Sequence, residues 1–136
     1  MERIEVVNAA KMLDINNANV AGSKFVNVCG EKLYFENVTL AGTRITDANL
    51  SDIEIDGAQL GGAFIHNIGM PPECHPNHQP GEQQRPLRFE NCNLQGSTIT
   101  DCNLSKLEIT DCNLTGMKIN GVLVTELLEA HAALRK

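Results

Sequence analysis

The chain has 136 residues, a net charge of −6 at pH 7, 42% hydrophobic residues and five cysteines. The negative charge argues against nucleic acid as a direct ligand, because phosphate contacts need a basic surface. No apolar run is long enough to span a bilayer. Residues 1–7 lack the basic region and the uninterrupted apolar stretch of a secretory signal. We therefore expect a single cytoplasmic domain in which three of the five cysteines, Cys92, Cys102 and Cys112, are buried free thiols at inward positions.

A large apolar residue recurs at every fifth position, in two blocks. Neither the helical period of 3.6 nor the strand period of 2 generates this series, so a fixed five-residue unit predicts a repeat architecture. These centres are Leu40, Ile45, Leu50, Ile55, Leu60 and Ile65, then Phe89, Leu94, Ile99, Leu104, Ile109, Leu114 and Ile119. Two residues after most centres stands a turn-prone residue, which predicts a corner in each unit. These corner residues are Gly42, Asp47, Asp52, Gly57, Gly62, Gly96, Asp101, Asp111 and Gly116.

The units around these centres resemble the pentapeptide-repeat family, whose unit reads roughly Ala-Asp/Asn-Leu-x-x. The best matches are Ala48-Asn49-Leu50, Cys92-Asn93-Leu94, Cys102-Asn103-Leu104 and Cys112-Asn113-Leu114. The resemblance covers residues 13–124 with one interruption. It implies an all-β fold, a right-handed quadrilateral parallel β-helix in which each unit forms one side of a coil. In that fold Leu50, Leu104 and Leu114 should be almost completely buried, with Asn49, Asn103 and Asn113 facing outward.

The sequence divides into five segments of one solenoid domain. They are an N-terminal cap (1–12, with a short strand over 3–7), a first repeat block (13–70), an inserted loop (71–86), a second repeat block (87–124) and a C-terminal helix (125–136). The loop is predicted because all five prolines lie in this part of the chain, and proline cannot donate to a ladder. Thr125 is the predicted N-cap of the helix, which should cover the end of the solenoid.

The centres alternate between Leu and Ile or Phe with a period of ten, so opposite sides of a four-sided coil carry the same type. One such side is acidic outside, and its carboxylates are the candidate partner-binding residues: Glu36, Glu54, Asp56, Glu90 and Glu108. The opposite side is weakly basic. Five acidic residues against Arg44 give residues 36–67 a net charge of −4. A merely solvated surface is the competing interpretation.

A metal site has weak candidates in the inserted loop and at its base: His66, Cys74, His75 and His78. Cysteine and histidine are zinc-ligand types, but their spacing matches no standard paired arrangement, and we expect no metal and no cofactor. No nucleophile stands beside a histidine in a catalytic motif, and no glycine-rich phosphate loop is present. The sequence therefore predicts a protein that is not an enzyme and has no catalytic residues.

Three functional hypotheses follow. The first is a non-enzymatic scaffold that binds a protein partner through a solenoid face or the loop. The second comes from the resemblance alone, because some pentapeptide-repeat proteins mimic DNA and modulate type II topoisomerases such as gyrase. The third is a metal- or redox-responsive binding protein that uses Cys74, His75 and His78. Resemblance to the gyrase-targeting members also implies a possible homodimer through the C-terminal end. Neither a membrane nor nucleic acid is an expected partner.

Overall fold

The computed structural model describes residues 2–136, which form two compact units, Met1–Gly62 and Ala63–Lys136. Regular secondary structure in the described residues is confined to the C-terminal end of the second unit. Strands β1 (Lys118–Ile119) and β2 (Val122–Leu123) pair as an antiparallel hairpin, and helix α1 (Val124–Leu134) follows directly. The described part of the chain therefore has no parallel ladder between repeat units. The regular feature of the repeats is the backbone conformation at their corners.

Most centres of the Leu type are followed by a hydrogen-bonded turn. The backbone N–H of the fourth turn residue donates to the carbonyl of the first, as in Leu40–Thr43 and Leu104–Leu107, both at 3.0 Å. The third residue has a positive φ, which is 74° at Gly42 and 63° at Lys106. A positive φ at this place is the mark of a type II turn. The same bond closes the turns Val20–Ser23, Gly30–Leu33, Leu50–Ile53, Leu94–Ser97 and Leu114–Met117.

Centres of the Ile or Phe type are followed by a different corner, a bend at one left-handed residue. Asp47, Asp101 and Asp111 have φ values of 52–53° at these bends. Asn and Asp are the non-glycine residues that visit this region most readily, because their short side chains can hydrogen-bond locally. The bends lie at Asn17, Asn27, Asn37, Asp47, Gly57, Asn67, Asn91, Asp101 and Asp111. The ten-residue alternation of centres is therefore an alternation of two corner types.

All nine corner residues predicted from the sequence have a left-handed backbone, with φ between 52° and 77°. The left-handed corner residues that the prediction did not include are Asn8, Asn17, Gly22, Asn27, Lys32, Asn37, Asn67, Asn91 and Lys106. Two of them are lysines, Lys32 and Lys106, with φ values of 61° and 63°. Lysine is not a turn-prone residue, so composition gave no signal there. Position alone could have found Lys106, because it stands two residues after the centre Leu104.

The asparagine of the repeat unit caps the turn that follows it. The Oδ1 atom of Asn49 accepts the backbone N–H of Ser51 at 3.0 Å, and Asn103 does the same for Ser105. Asn19, Asn93 and Asn113 repeat this bond to Ala21, Gln95 and Thr115. An asparagine side chain that bonds the backbone two residues on favours a turn. The asparagine before a Leu centre therefore shapes the corner as well as facing solvent.

The prediction that the Leu centres are almost completely buried is wrong in this structure. Leu50 is 44% exposed and Leu104 is 47% exposed, and Leu114 is only partly buried. Tyr34 and Phe64, which directly precede the centres Phe35 and Ile65, are each 80% exposed, compared with 57% and 65% for those centres. A centre is covered on one side by its own unit, and full burial requires a neighbouring coil to be paired with it. The described residues lack the ladder that would make that pairing.

The N-terminal segment contains a corner of the repeat in place of the predicted strand over 3–7. Asn8 is left-handed, with a φ of 49°, and it stands two residues after Val6. Arg3 and Glu5 form an ion pair on the same side of the extended chain, since residues two apart point the same way. The strand prediction is wrong, because residues 3–7 of the described chain have no hydrogen-bonded neighbouring strand.

The C-terminal hairpin and helix form one connected element. Asn120 and Gly121 have φ values of 47° and 81°, the two positive angles that a type I′ hairpin turn requires. The N–H of Val124 donates to the carbonyl of Met117 at 3.0 Å, and Val124 is the one buried side chain in the described residues. Backbone bonding and burial of Val124 therefore fix where α1 begins.

The prediction that Thr125 caps this helix is wrong. The N-cap is Leu123, which has no side-chain cap bond, and α1 begins at Val124. The hairpin delivers the chain directly into the first turn, so Thr125 already lies within the helix. At eleven residues, α1 is too short to cross a membrane, and no helix in the described part of the chain is longer than α1.

Candidate functional site

The inserted loop begins at a corner that cannot close. Met70 is the next centre after Ile65, and the alternation calls for a type II turn there, with a positive φ two residues later. That position is Pro72, whose ring fixes φ near about −65°. Beyond the loop, Phe89 is followed by a left-handed bend at Asn91, with a φ of 53°. The chain therefore departs from the repeat where a type II turn is expected. It resumes the repeat with the bend type of corner, which is the next type in the alternation.

The first half of the loop is folded on itself by four hydrogen bonds. The N–H of His75 donates to the Pro72 carbonyl at 2.8 Å, and the N–H of His78 donates to the His75 carbonyl at 3.0 Å. The N–H of Asn77 donates to Nδ1 of His75 at 3.1 Å, and Nδ1 of His78 lies 3.2 Å from the Pro71 carbonyl. Pro71, His75 and His78 are partly buried, whereas the other residues of the 71–86 loop are exposed. This segment therefore has a defined conformation.

The four metal candidates do not converge. His66 stacks on Phe64 with ring centroids 4.1 Å apart, and its Nδ1 lies 3.1 Å from the Asn67 amide nitrogen. The thiol of Cys74 is free and exposed, while His75 and His78 use their Nδ1 atoms inside the loop. Within residues 2–136, no three His, Cys, Asp or Glu side chains are grouped so that they could hold a metal ion.

The five candidate carboxylates are exposed and belong to different units. Glu36, Glu54 and Asp56 lie in the first unit, where Glu54 and Asp56 flank the centre Ile55; Glu90 and Glu108 lie in the second. Glu90 accepts a hydrogen bond from Arg88 Nη2 at 2.7 Å, in an ion pair whose side chains are 79% and 66% exposed. This pair offsets the charge of Glu90 locally, so the first unit carries the stronger acidic candidates.

The repeat cysteines are exposed, which corrects the expectation that their thiols are buried. The thiols of Cys92, Cys102 and Cys112 each donate to the carbonyl two residues earlier, at 3.1–3.2 Å. Each of these carbonyls directly precedes a left-handed bend residue. Sequence reasoning missed this role, and the signal for it was the recurrence of cysteine directly after Asn91, Asp101 and Asp111. All five cysteines are free in the structure.

The first unit has an open apolar concavity lined by Met12, Phe25, Leu33 and Tyr34, with Cys29 beside them. Reactions that need water to be excluded require an enclosed site, which an open concavity does not provide. The described surface carries hydrogen-bonding groups and exposed carboxylates.

The alternating corners, the capping asparagines and the Leu centres define a protein built from five-residue repeats. Residues 88–123 match the family model of pentapeptide repeats, in eight copies. The resemblance stated from the sequence is confirmed for residues 88–123, which consist of pentapeptide repeats. Members of the family are generally non-enzymatic scaffolds, and the repeats imply a β-helix solenoid. No curated protein and no solved structure matches the chain.

Proposed function

We propose that this protein is a non-enzymatic scaffold that binds a protein partner through a face of its repeats or through the 71–86 loop. The observation that carries the proposal is the loop itself. The loop begins at one corner of a regular repeat and is folded by hydrogen bonds between its own residues. These bonds hold two partly buried histidines, His75 and His78. A segment with a defined conformation loses less conformational entropy on binding than a disordered one.

The proposed form of the scaffold is the right-handed quadrilateral β-helix that the resemblance implies. Two corner types that alternate every five residues are compatible with a coil of four sides, in which like corners take opposite positions. On this fold the side chains next to each centre stand in rows on the outer surface. A homodimer through the C-terminal end belongs to the same proposal, since Leu127 and Leu128 on α1 are 45% and 53% exposed.

A second candidate function is modulation of a type II topoisomerase by charge mimicry of DNA. It is favoured by one observation, the exposed carboxylates of Glu36, Glu54 and Asp56 within a segment of net charge −4. The partner surface would then be a basic groove that normally holds the phosphate backbone. The Arg88–Glu90 ion pair weakens the charge of the second unit, so the first unit would supply most of the attraction.

Affinity capture from a native cytoplasm tests the scaffold proposal. One variant replaces residues 73–86 with a short Gly/Ser linker. Another changes four candidate carboxylates, Glu36→Gln, Glu54→Gln, Asp56→Asn and Glu108→Gln. A matched control removes the same number of charges elsewhere, through Glu2→Gln, Asp14→Asn, Glu126→Gln and Glu129→Gln.

We expect at least one protein to be retained by the parent and by the control but lost by one of the two test variants. If every captured protein is retained equally by all four baits, neither surface is a binding site and the proposal fails.

A supercoiling assay with a gyrase-type enzyme tests the second candidate. The parent should inhibit or protect the enzyme, the four-carboxylate variant should lose the effect, and added salt should weaken it, because exposed charges are screened. A parent that has no effect even at large molar excess would remove this candidate and leave the protein-binding scaffold.

A further inference from the structure

We propose that His75 positions the 71–86 loop by capping it in the way that the repeat asparagines cap their turns. The Nδ1 atom of His75 accepts the N–H of Asn77, two residues on, at 3.1 Å. Asn49 accepts the N–H of Ser51 with the same spacing, at 3.0 Å. An imidazole thus takes the place of the carboxamide at the point where the chain leaves the repeat.

These hydrogen bonds determine which nitrogen of each ring carries the proton. A backbone N–H can only donate, so Nδ1 of His75 must have its lone pair, and its proton is on Nε2. A backbone carbonyl can only accept, so Nδ1 of His78 carries a proton toward Pro71. In the neutral rings, the two histidines of one loop are therefore opposite tautomers.

This pairing leaves one donor and one acceptor unused. Neither the N–H at Nε2 of His75 nor the lone pair at Nε2 of His78 has a hydrogen-bond partner among the described residues. An amide group has the complementary pair, a carbonyl acceptor and an N–H donor. The inferred partner therefore supplies an acceptor to His75 and a donor to His78, groups that carboxamide side chains and exposed peptide groups both carry. This last step rests on the proposed function, whereas the tautomers do not.

Nitrogen-15 NMR of the full chain tests the tautomers without any partner. The spectra are recorded at about pH 8, where a free imidazole is neutral. We expect a lone-pair type of shift at Nδ1 of His75 and a protonated type at Nδ1 of His78. The same tautomer at both histidines, or fast averaging between tautomers at His75, would overturn the proposal.

Two substitutions separate the capping role from mere packing. His75→Asn retains an acceptor of the kind that the repeats use, whereas His75→Ala removes it. The amide of Asn77 should exchange with deuterium about two- to tenfold faster in His75→Ala, the range expected for one hydrogen bond. Exchange in His75→Asn should stay within about twofold of the parent. Equal acceleration in both variants would show that the ring only fills space.

The recognition step has its own readout. His75→Asn keeps the cap but lacks the N–H at Nε2, so we expect about tenfold weaker retention of any protein captured through the loop, the loss of one hydrogen bond. Unchanged retention would contradict the amide partner while leaving the tautomers in place. If the linker variant also retains that protein, the failure lies with the loop as a binding surface and not with His75.

Discussion

Removing residues 73–86 should leave the free energy of unfolding within about 1 kcal/mol of the parent, because the cost of closing a loop changes slowly with its length. The deletion should be made with Pro71→Ala and Pro72→Gly, so that the corner after Met70 can adopt the positive φ found at Gly42. The deletion removes fourteen residues, after which Phe89 stands five positions after Met70. The second block then continues the five-residue register of the first. The unit length and the alternation of corner types then continue without a break.

The matched control is the same deletion with one extra alanine before Leu87. The extra residue shifts every centre of the second block by one position relative to the first. We expect the free energy of unfolding to fall by at least about 3 kcal/mol, because one or two aliphatic side chains would lose their burial. This corresponds to a melting temperature lower by roughly 10 °C. If both deletions melt at the same temperature, the blocks fold independently of their phase and the single-solenoid interpretation is wrong.

Opposite effects are expected from the same substitution at two adjacent glycines. Gly62 has a φ of +76°, and no heavy atom lies within 4 Å of the position that an alanine Cβ would take there. Gly62→Ala therefore introduces backbone strain without a clash. This strain should destabilise the protein by about 1–2 kcal/mol. Gly61 also has open space and does not have a left-handed backbone. Gly61→Ala should be neutral or stabilising by up to about 1 kcal/mol, because alanine reduces the freedom of the unfolded chain.

Gly61 is the control for Gly62 because both lie in one turn and both side chains would face open space. The corresponding position in other turns already holds alanine, at Ala21 and Ala41. Denaturant unfolding of the two variants measures the difference. Equal stability of Gly62→Ala and the parent would show that this corner does not hold a left-handed residue.

The corners could be predicted from the sequence because turn chemistry is local. Asp101 and Gly96 identify themselves by residue type, and the regular spacing makes each of them a strong signal. The sequence indicated the two corner types only indirectly, through the alternation of Leu and Ile centres. The hydrogen bonds of Asn103 and Cys102 to the backbone follow from the same local geometry, but single residues give no sign of them.

Burial of the centres and the start of the helix could not be predicted in the same way. Exposure of Leu104 depends on the pairing of one coil with another, which is a long-range property. The N-cap moved from Thr125 to Leu123 because the hairpin feeds the helix directly and Val124 is bonded to Met117. The carboxylates were identified by register, yet the pairing of Glu90 with Arg88 depends on the rotamers of two exposed side chains.

The central claim is that left-handed corners of two kinds alternate every five residues along a pentapeptide repeat. NMR measurement of the sign of φ through residues 95–117 tests it most directly. We predict positive values at Gly96, Asp101, Lys106, Asp111 and Gly116. Lys106 is the most informative of these positions, since a positive φ is uncommon for a lysine and only the repeat register requires it. A negative φ at Lys106 or Asp111 in the folded protein would contradict the claim.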